Sequence, residues 1–279
     1  MAPSIAPGTT LGPVALTVAD LARSIAYYER LGLEAGERST GGVTLSAGPT
    51  PLLRLEEIPG APPADGHTGL FHFALLVPER ADLARWLARA AAEELPLTGA
   101  SDHFVSEALY LRDPDHHGIE IYWDRPRELW EGQVQRMGSW PLDLDDVMTA
   151  LDEPRSGAAD GLPSGTVMGH VHLRVREVDE AVGFYRDVLG MDLMAHLGDQ
   201  AAFLAAGGYH HHIGANTWES RGATPAPEGS ATLRHLTIVL PGADERDRVL
   251  DRVGVHEDGP GGPMVADPSG NRLVLAVAA

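Results

Sequence analysis

The chain contains no cysteine. That absence excludes a disulfide framework and every thiolate metal site, so a bound metal needs nitrogen and oxygen ligands. Long apolar runs are missing too: no stretch approaches the roughly 20 residues that a helix needs to cross a bilayer. The opening MAPSIAPGTTLGP lacks a basic segment followed by an apolar one. It does not read as a secretory signal, and the cytoplasm is the expected location. Cationic side chains are few: 21 Lys and Arg stand against 40 Asp and Glu, a formal net charge of −19. Such a surface repels nucleic acid and anionic membranes, so neither is an expected partner, and it favours solubility. At 279 residues the chain is long enough for two modest domains with their own cores.

What is present is a repeat. Residues 12–33 (GPVALTVADLARSIAYYERLGL) and 169–193 (GHVHLRVREVDEAVGFYRDVLGMDL) both read strand, turn, helix, Leu-Gly. Leu21, Ile25, Tyr28 and Leu31 fall at helical spacing, as do Val178, Val182, Tyr185 and Leu189. Asp20 is a candidate N-cap, and Gly32 and Gly190 are candidate left-handed helix ends. A second unit follows each of these. Residues 70–78 (LFHFALLVP) match 233–241 (LRHLTIVLP), a short helix follows each, and both close on an Asp-Pro turn and a strand, DPDHHGIEIYW at 113–123 and DPSGNRLVLAV at 267–277. The chain thus divides into four modules, near 11–60, 69–124, 167–220 and 231–277. Each is expected to be a βαβββ unit, in an α+β fold. The expected domains are 1–124 and 166–279, joined by a connector at 125–165. In the connector LDLDDVMTAL is a candidate short helix and SGAADGLPSG a candidate flexible surface loop.

The repeat also separates chemistry-bearing residues. Glu120 stands in an apolar strand after a tight turn, His72 starts an earlier strand, and His170 starts a strand in the other half of the chain. Two histidines and one carboxylate form the facial triad that holds non-heme Fe(II) and leaves positions open for substrate and oxygen. The bland readings are a solvent-facing glutamate and two strand-end histidines satisfied by backbone. The Val274 that replaces Glu120 in the matching turn of module 4 favours the ligand reading.

On GHVHLRV…FYRDVLG, AFLAAGGYHHHIGANTW and SEALYLRDPDHHGIEIYWDRP, the chain resembles the vicinal oxygen chelate superfamily. Within it the resemblance is to the two-domain extradiol ring-cleaving dioxygenases, above all the catechol 2,3-dioxygenase-like proteins. It spans nearly everything except the connector. It implies paired modules that form two curved-sheet cups, with a metal inside the active one. Carried over residue by residue, the first-ligand position is Pro13 in module 1 and His170 in module 3. The second is His72 in module 2 and His235 in module 4. The carboxylate is Glu120 in module 2 but Val274 in module 4, and the tyrosine is Tyr110 but Met264. The acid–base histidine falls on His211.

In the family's usual arrangement modules 3 and 4 share the active cup, which would place Val274 where a ligand is needed. Pairing modules 2 and 3 instead brings together His72, Glu120 and His170 as metal ligands, with His211, Tyr110 and His103 as the catalytic set. That pairing, within one chain or across a swapped dimer, is the expectation here. A homodimer or higher homo-oligomer fits it.

The resemblance further implies Fe(II), or Mn(II), as cofactor. The implied reaction is O2-dependent meta-cleavage of a catechol, a small aromatic diol, to a muconic semialdehyde. Two other functions compete: a glyoxalase-like lyase or isomerase using Zn²⁺, Ni²⁺ or Mn²⁺, and a metal-free small-molecule-binding protein of the same fold. Tyr110 and His211 discriminate, because the isomerisation needs neither.

Other residues receive plainer readings. Strand alternation puts His211 on the opposite face from His210 and His212. His116 and His117 are expected to be solvated turn residues, His235 to be structural, and Tyr27, Tyr28 and Tyr185 to pack helices. Tyr122 and Trp123 are candidates for the pocket rim.

Overall fold

Three apolar strands point to the architecture, because strands buried on both faces belong to the middle of a sheet. The computed structural model describes residues 4–38, 42–152 and 161–278. Val14–Val18 is buried along its whole length, as are nearly all of Gly69–Leu76 and Val167–Arg174. Two sheets form. In one, Val14–Val18 pairs antiparallel with Leu233–Leu240, while Thr50–Glu57 and Arg272–Val277 flank them in parallel. In the other, Gly69–Leu76 pairs antiparallel with Val167–Arg174. Gly118–Asp124 and Ile213–Asn216 flank that pair in parallel. Modules 1 and 4 therefore share one curved sheet and modules 2 and 3 the other, all within one chain. The fold is α+β, built from four βαβββ units.

The helices begin and end where their sequence dictates. Asp20 has extended backbone and accepts from the Arg23 N–H at 2.9 Å, which caps Leu21–Leu31. Gly32 closes that helix at φ +112, and a Cβ there would meet the Leu162 nitrogen at 2.8 Å. The matching helix in module 3 is one residue longer before its glycine (Val178 to Gly190 against Leu21 to Gly32). It absorbs the extra residue by passing from α over Val178–Val182 to π over Gly183–Val188.

One continuous apolar core lies between the sheets and helices. Two buried hydrogen bonds cross it in matching places. The Tyr28 hydroxyl donates to Asp113 Oδ2 at 2.9 Å, and that of Tyr185 donates to Asp267 Oδ2 at 3.1 Å. Each links a helix of one cup to the Asp-Pro turn of the other. These tyrosines pack helices, as expected, and also tie the cups together.

The connector forms the short helix Leu144–Met148, continued by a 3-10 turn at Thr149–Asp152. The expected loop falls in part on 156–160, outside the described residues. Its other end is docked rather than free: Leu162 is buried and donates its N–H to Gly32 O at 2.8 Å.

Candidate metal centre

Strand register brings the distant residues together. Residues at one register level in neighbouring strands point to the same face of a sheet. One level runs Tyr110, Glu120, Ala74, His170 across four strands. The level beside it runs Arg112, Gly118, His72, His172, Gly214, Phe203. Small residues interleave with large ones, and this spacing makes room for four rings. A Cβ on Gly214 would lie 2.6 Å from the His172 ring, and one on Gly118 would lie 2.9 Å from the His72 Cβ.

His72, Glu120 and His170 converge. Nε2 of His72 is 3.0 Å from Glu120 Oε2, Nε2 of His170 is 3.1 Å from the same oxygen, and the two nitrogens are 3.3 Å apart. All three side chains are buried. Ligands about 2.1 Å from one ion stand about 3.0 Å apart at right angles and about 3.4 Å apart in a tetrahedron. The observed edges lie between these two spacings, so His72, Glu120 and His170 would fit around one such ion. Hard oxygen and borderline nitrogen donors suit a divalent first-row metal. Burial alone raises the Glu120 pKa, but the imidazoles of His170 and His72 more than offset it and hold the carboxyl well below its usual range. Burial lowers the His170 pKa against the pull of Glu120, so a neutral, ligand-ready ring is favoured. Nδ1 of His170 has no partner among the described residues.

The catalytic candidates surround this triangle. The Tyr110 hydroxyl is 2.6 Å from His103 Nε2, and His103 Nδ1 donates to Gly138 O at 2.5 Å. Burial, with the Glu120 charge, raises the Tyr110 pKa well above its ordinary value. The His211 ring lies 4.2 Å from that of His170, centroid to centroid. Burial, then His170 and His210, push the His211 pKa well down. His72, His103, Tyr110, Glu120, His170 and His211 all line one cavity of about 400 Å³.

The second cup differs at all but one of these positions. Met264 pairs with Val274 in the register where Tyr110 pairs with Glu120. His235 pairs with Ala15 as His72 pairs with His172. Pro13 offers only its carbonyl, which accepts from Thr237 at 2.8 Å.

A family model described as the Glyoxalase/Bleomycin resistance protein/Dioxygenase superfamily matches residues 10–121 and 167–275. The chain belongs to this superfamily. The catechol-2,3-dioxygenase of Bacillus subtilis (strain 168) is 42% identical over 257 residues, covering 90% of this chain and 89% of that protein. Among solved structures, a candidate dioxygenase from Bacillus subtilis subsp. subtilis str. 168 superposes with a TM-score of 0.64 at 15% identity, covering 98% of this chain and 86% of the other. Glyoxalase I from Zea mays gives 0.59 at 17% identity, over 96% and 92%. Those two likenesses concern the fold alone. The near full-length relative makes this chain a catechol 2,3-dioxygenase-like enzyme of the superfamily.

Several expectations for this superfamily member need correction. Residues 209–212 are not strand. They form a loop before Ile213–Asn216, so alternation does not apply, and His210 and His211 are both buried side by side. His117 is buried rather than solvated, because the turn folds its Nδ1 back onto Asp113 Oδ2 at 2.9 Å. His116 is exposed and pairs with Asp65. Tyr122 is fully buried behind His170, and its hydroxyl meets that of Tyr209 at 2.8 Å. Gly169 makes that possible, since a Cβ there would lie 1.8 Å from the Tyr122 oxygen. Trp123 packs against the core. Exposed Leu197 and Trp218 stand on the cavity wall instead.

His172 belongs to the site and escaped the motif reading. It lies two residues after His170 on the same strand, hence on the same face. Its ring is 5.0 Å from that of His72, and its buried Nε2 has no partner among the described residues. The connector escaped as well. Trp140–Pro141 adds an edge strand to the sheet of modules 2 and 3, and Met137, Gly138 and Ser139 line the cavity.

Proposed function

We propose that the chain is an extradiol dioxygenase that uses Fe(II) and O2 to cleave a catechol beside its two hydroxyls, giving a muconic semialdehyde. His72, Glu120 and His170 would hold the metal. The observation that carries this reading is the triangle of two imidazole nitrogens and one carboxylate oxygen with edges of 3.0, 3.1 and 3.3 Å. It contains one carboxylate, whereas a second carboxylate facing the metal would speak for a glyoxalase-like site. A bound ferrous ion supplies the Lewis-acid and electron-transfer chemistry that joins catecholate to dioxygen.

The protein supplies proton handling and orientation. His211, kept neutral by burial, takes a catechol hydroxyl proton and later returns one. His103 spends its Nδ1–H on Gly138 O. Its Nε2 then accepts from the Tyr110 hydroxyl, so the Tyr110 oxygen can accept from a substrate hydroxyl.

The lining narrows the substrate. Phe71, Met137, Leu197, Phe203 and Trp218 give the cavity apolar walls. Among the described residues Arg112 is the one cation in that lining, and Glu219 at 3.2 Å and Asp65 at 3.8 Å engage it. A catechol with an apolar substituent suits this chamber, and a carboxylated one finds no free counter-charge.

The test is anaerobic loading with Fe(II), followed by oxygen and 4-methylcatechol. A yellow ring-cleavage product is expected, and 3,4-dihydroxybenzoate should turn over far more slowly. No colour, together with turnover of a thiol adduct under Zn²⁺ or Ni²⁺, would replace this reading with the glyoxalase-like one.

A further inference from the structure

Behind His211 runs a hydrogen-bonded chain that the proposed reaction does not itself require. Asp124 Oδ1 lies 2.8 Å from His210 Nε2, and His210 Nδ1 lies 2.8 Å from His211 Nδ1. The other Asp124 oxygen accepts from the Tyr209 hydroxyl at 2.7 Å. His210 is fully buried, whereas His211 is 7% exposed and lines the cavity.

With an ionised carboxylate at one end and a neutral imidazole in the middle, every bond in this chain has one direction. An ionised carboxylate only accepts, so His210 carries its proton on Nε2. A neutral imidazole carries one proton, which leaves His210 Nδ1 as an acceptor. The nitrogen facing it must then donate, so His211 carries its proton on Nδ1, and its Nε2 is a bare lone pair. We propose that Asp124 and His210 are positioning residues that fix His211 in the tautomer whose basic Nε2 serves the cavity. In serine hydrolases a single carboxylate orients the histidine directly. Here a second imidazole lies between, and it preserves the sense of the signal because it donates from one nitrogen and accepts at the other. The proposal rests on the reading of His211 as the acid–base group.

The test reads the tautomer directly. Full-length protein labelled with ¹⁵N-histidine and loaded with diamagnetic Zn²⁺ is examined by long-range ¹H–¹⁵N correlation, and the His211 signal is identified by its loss in His211→Asn. The expected pattern is a protonated Nδ1 and a bare Nε2. His210→Phe fills the space without an acceptor, so the proton should redistribute toward Nε2. With Fe(II) and catechol, kcat should fall about 100-fold while KM stays within about twofold. His210→Asn offers an amide oxygen to His211 Nδ1 and should restore the tautomer and bring the rate within about tenfold of the parent. Asp124→Ser gives the same readout should His210→Phe not fold. A parent protein with the His211 proton on Nε2, or a tautomer unchanged by both His210→Phe and Asp124→Ser, overturns the proposal. The Zn²⁺ tautomer measurement does not depend on ring cleavage. A chain inert toward every catechol but with the expected tautomers would refute the assigned reaction and uphold the positioning.

Discussion

Glu120 is the residue on which the centre turns, because it is the one carboxylate in a triangle otherwise made of imidazoles. Glu120→Gln keeps the volume and removes that charge. Fe(II) retained after gel filtration should drop from about one ion per chain to below about one in ten, since first-row metals on histidine alone are held far more weakly. Elemental analysis reads this, and a variant that keeps its iron would remove Glu120 from the ligand set. Tyr110→Phe makes a narrower cut. It deletes one hydroxyl from a buried dyad, so kcat for catechol should fall about 10- to 100-fold with metal content and KM little changed. A rate within twofold of the parent would leave Tyr110 without a role in the slow step.

These residues could be read from the chain because the repeat supplies its own control: Glu120 against Val274, Tyr110 against Met264, His170 against Pro13. His172 could not be read that way. Its place depends on Gly214 clearing space one strand away, a tertiary fact with no local signature. The histidine run is opaque for a related reason, since strand alternation does not govern residues that form a loop.

At the scale of elements, the two Asp-Pro turns are alike in geometry and opposite in electrostatics. Both aspartates are buried and accept from a tyrosine of the other cup. Burial raises both pKa values, but beside Asp113 the His117 ring and further hydrogen bonds more than offset it, and that pKa is lowered. Asp267 has Asn271 in the equivalent place, its partners are neutral, and its pKa stays raised. The signs follow from linkage. The Asp113 contribution is present above the unfolded value near 3.9 and is lost as pH falls through the lower folded value. The Asp267 contribution is complete below the unfolded value and is lost as pH rises through the higher folded value. Asp113→Asn should therefore cost more stability at neutral pH than Asp267→Asn and should flatten the acid decline of Tm. Asp267→Asn should steepen that decline. Melting curves from roughly pH 6 to pH 3 decide it, and identical profiles for the two variants would refute the contrast. The sequence shows the turns and the His117/Asn271 difference. It does not show that Tyr28 and Tyr185 reach across to them, because that contact follows from how the cups stack.

At the scale of the whole molecule, a duplicated fold holds one candidate metal site among the described residues. The sheet of modules 2 and 3 gathers every ligand. The sheet of modules 1 and 4 retains His235 alone, with Val274, Met264 and Pro13 at the other positions. The pairing was legible in advance because only one combination of modules completes a ligand set. The closing of that cup by Met137–Ser139 was not, since a connector without periodicity gives no sign of where it docks. A single imidazole lacks the chelate needed to hold a divalent ion against buffer. The fully loaded protein should therefore carry about one metal per chain and not two. Val274→Ala should leave both that ratio and the turnover rate within about twofold, because the nearest ligand set lies in the other sheet. Two ions per chain, or a Val274→Ala protein that loses its metal while Glu120→Ala keeps it, would move the centre to the opposite cup. The reaction would then have to be assigned to residues that offer one histidine and no carboxylate at the matching positions, which two-histidine, one-carboxylate chemistry does not allow.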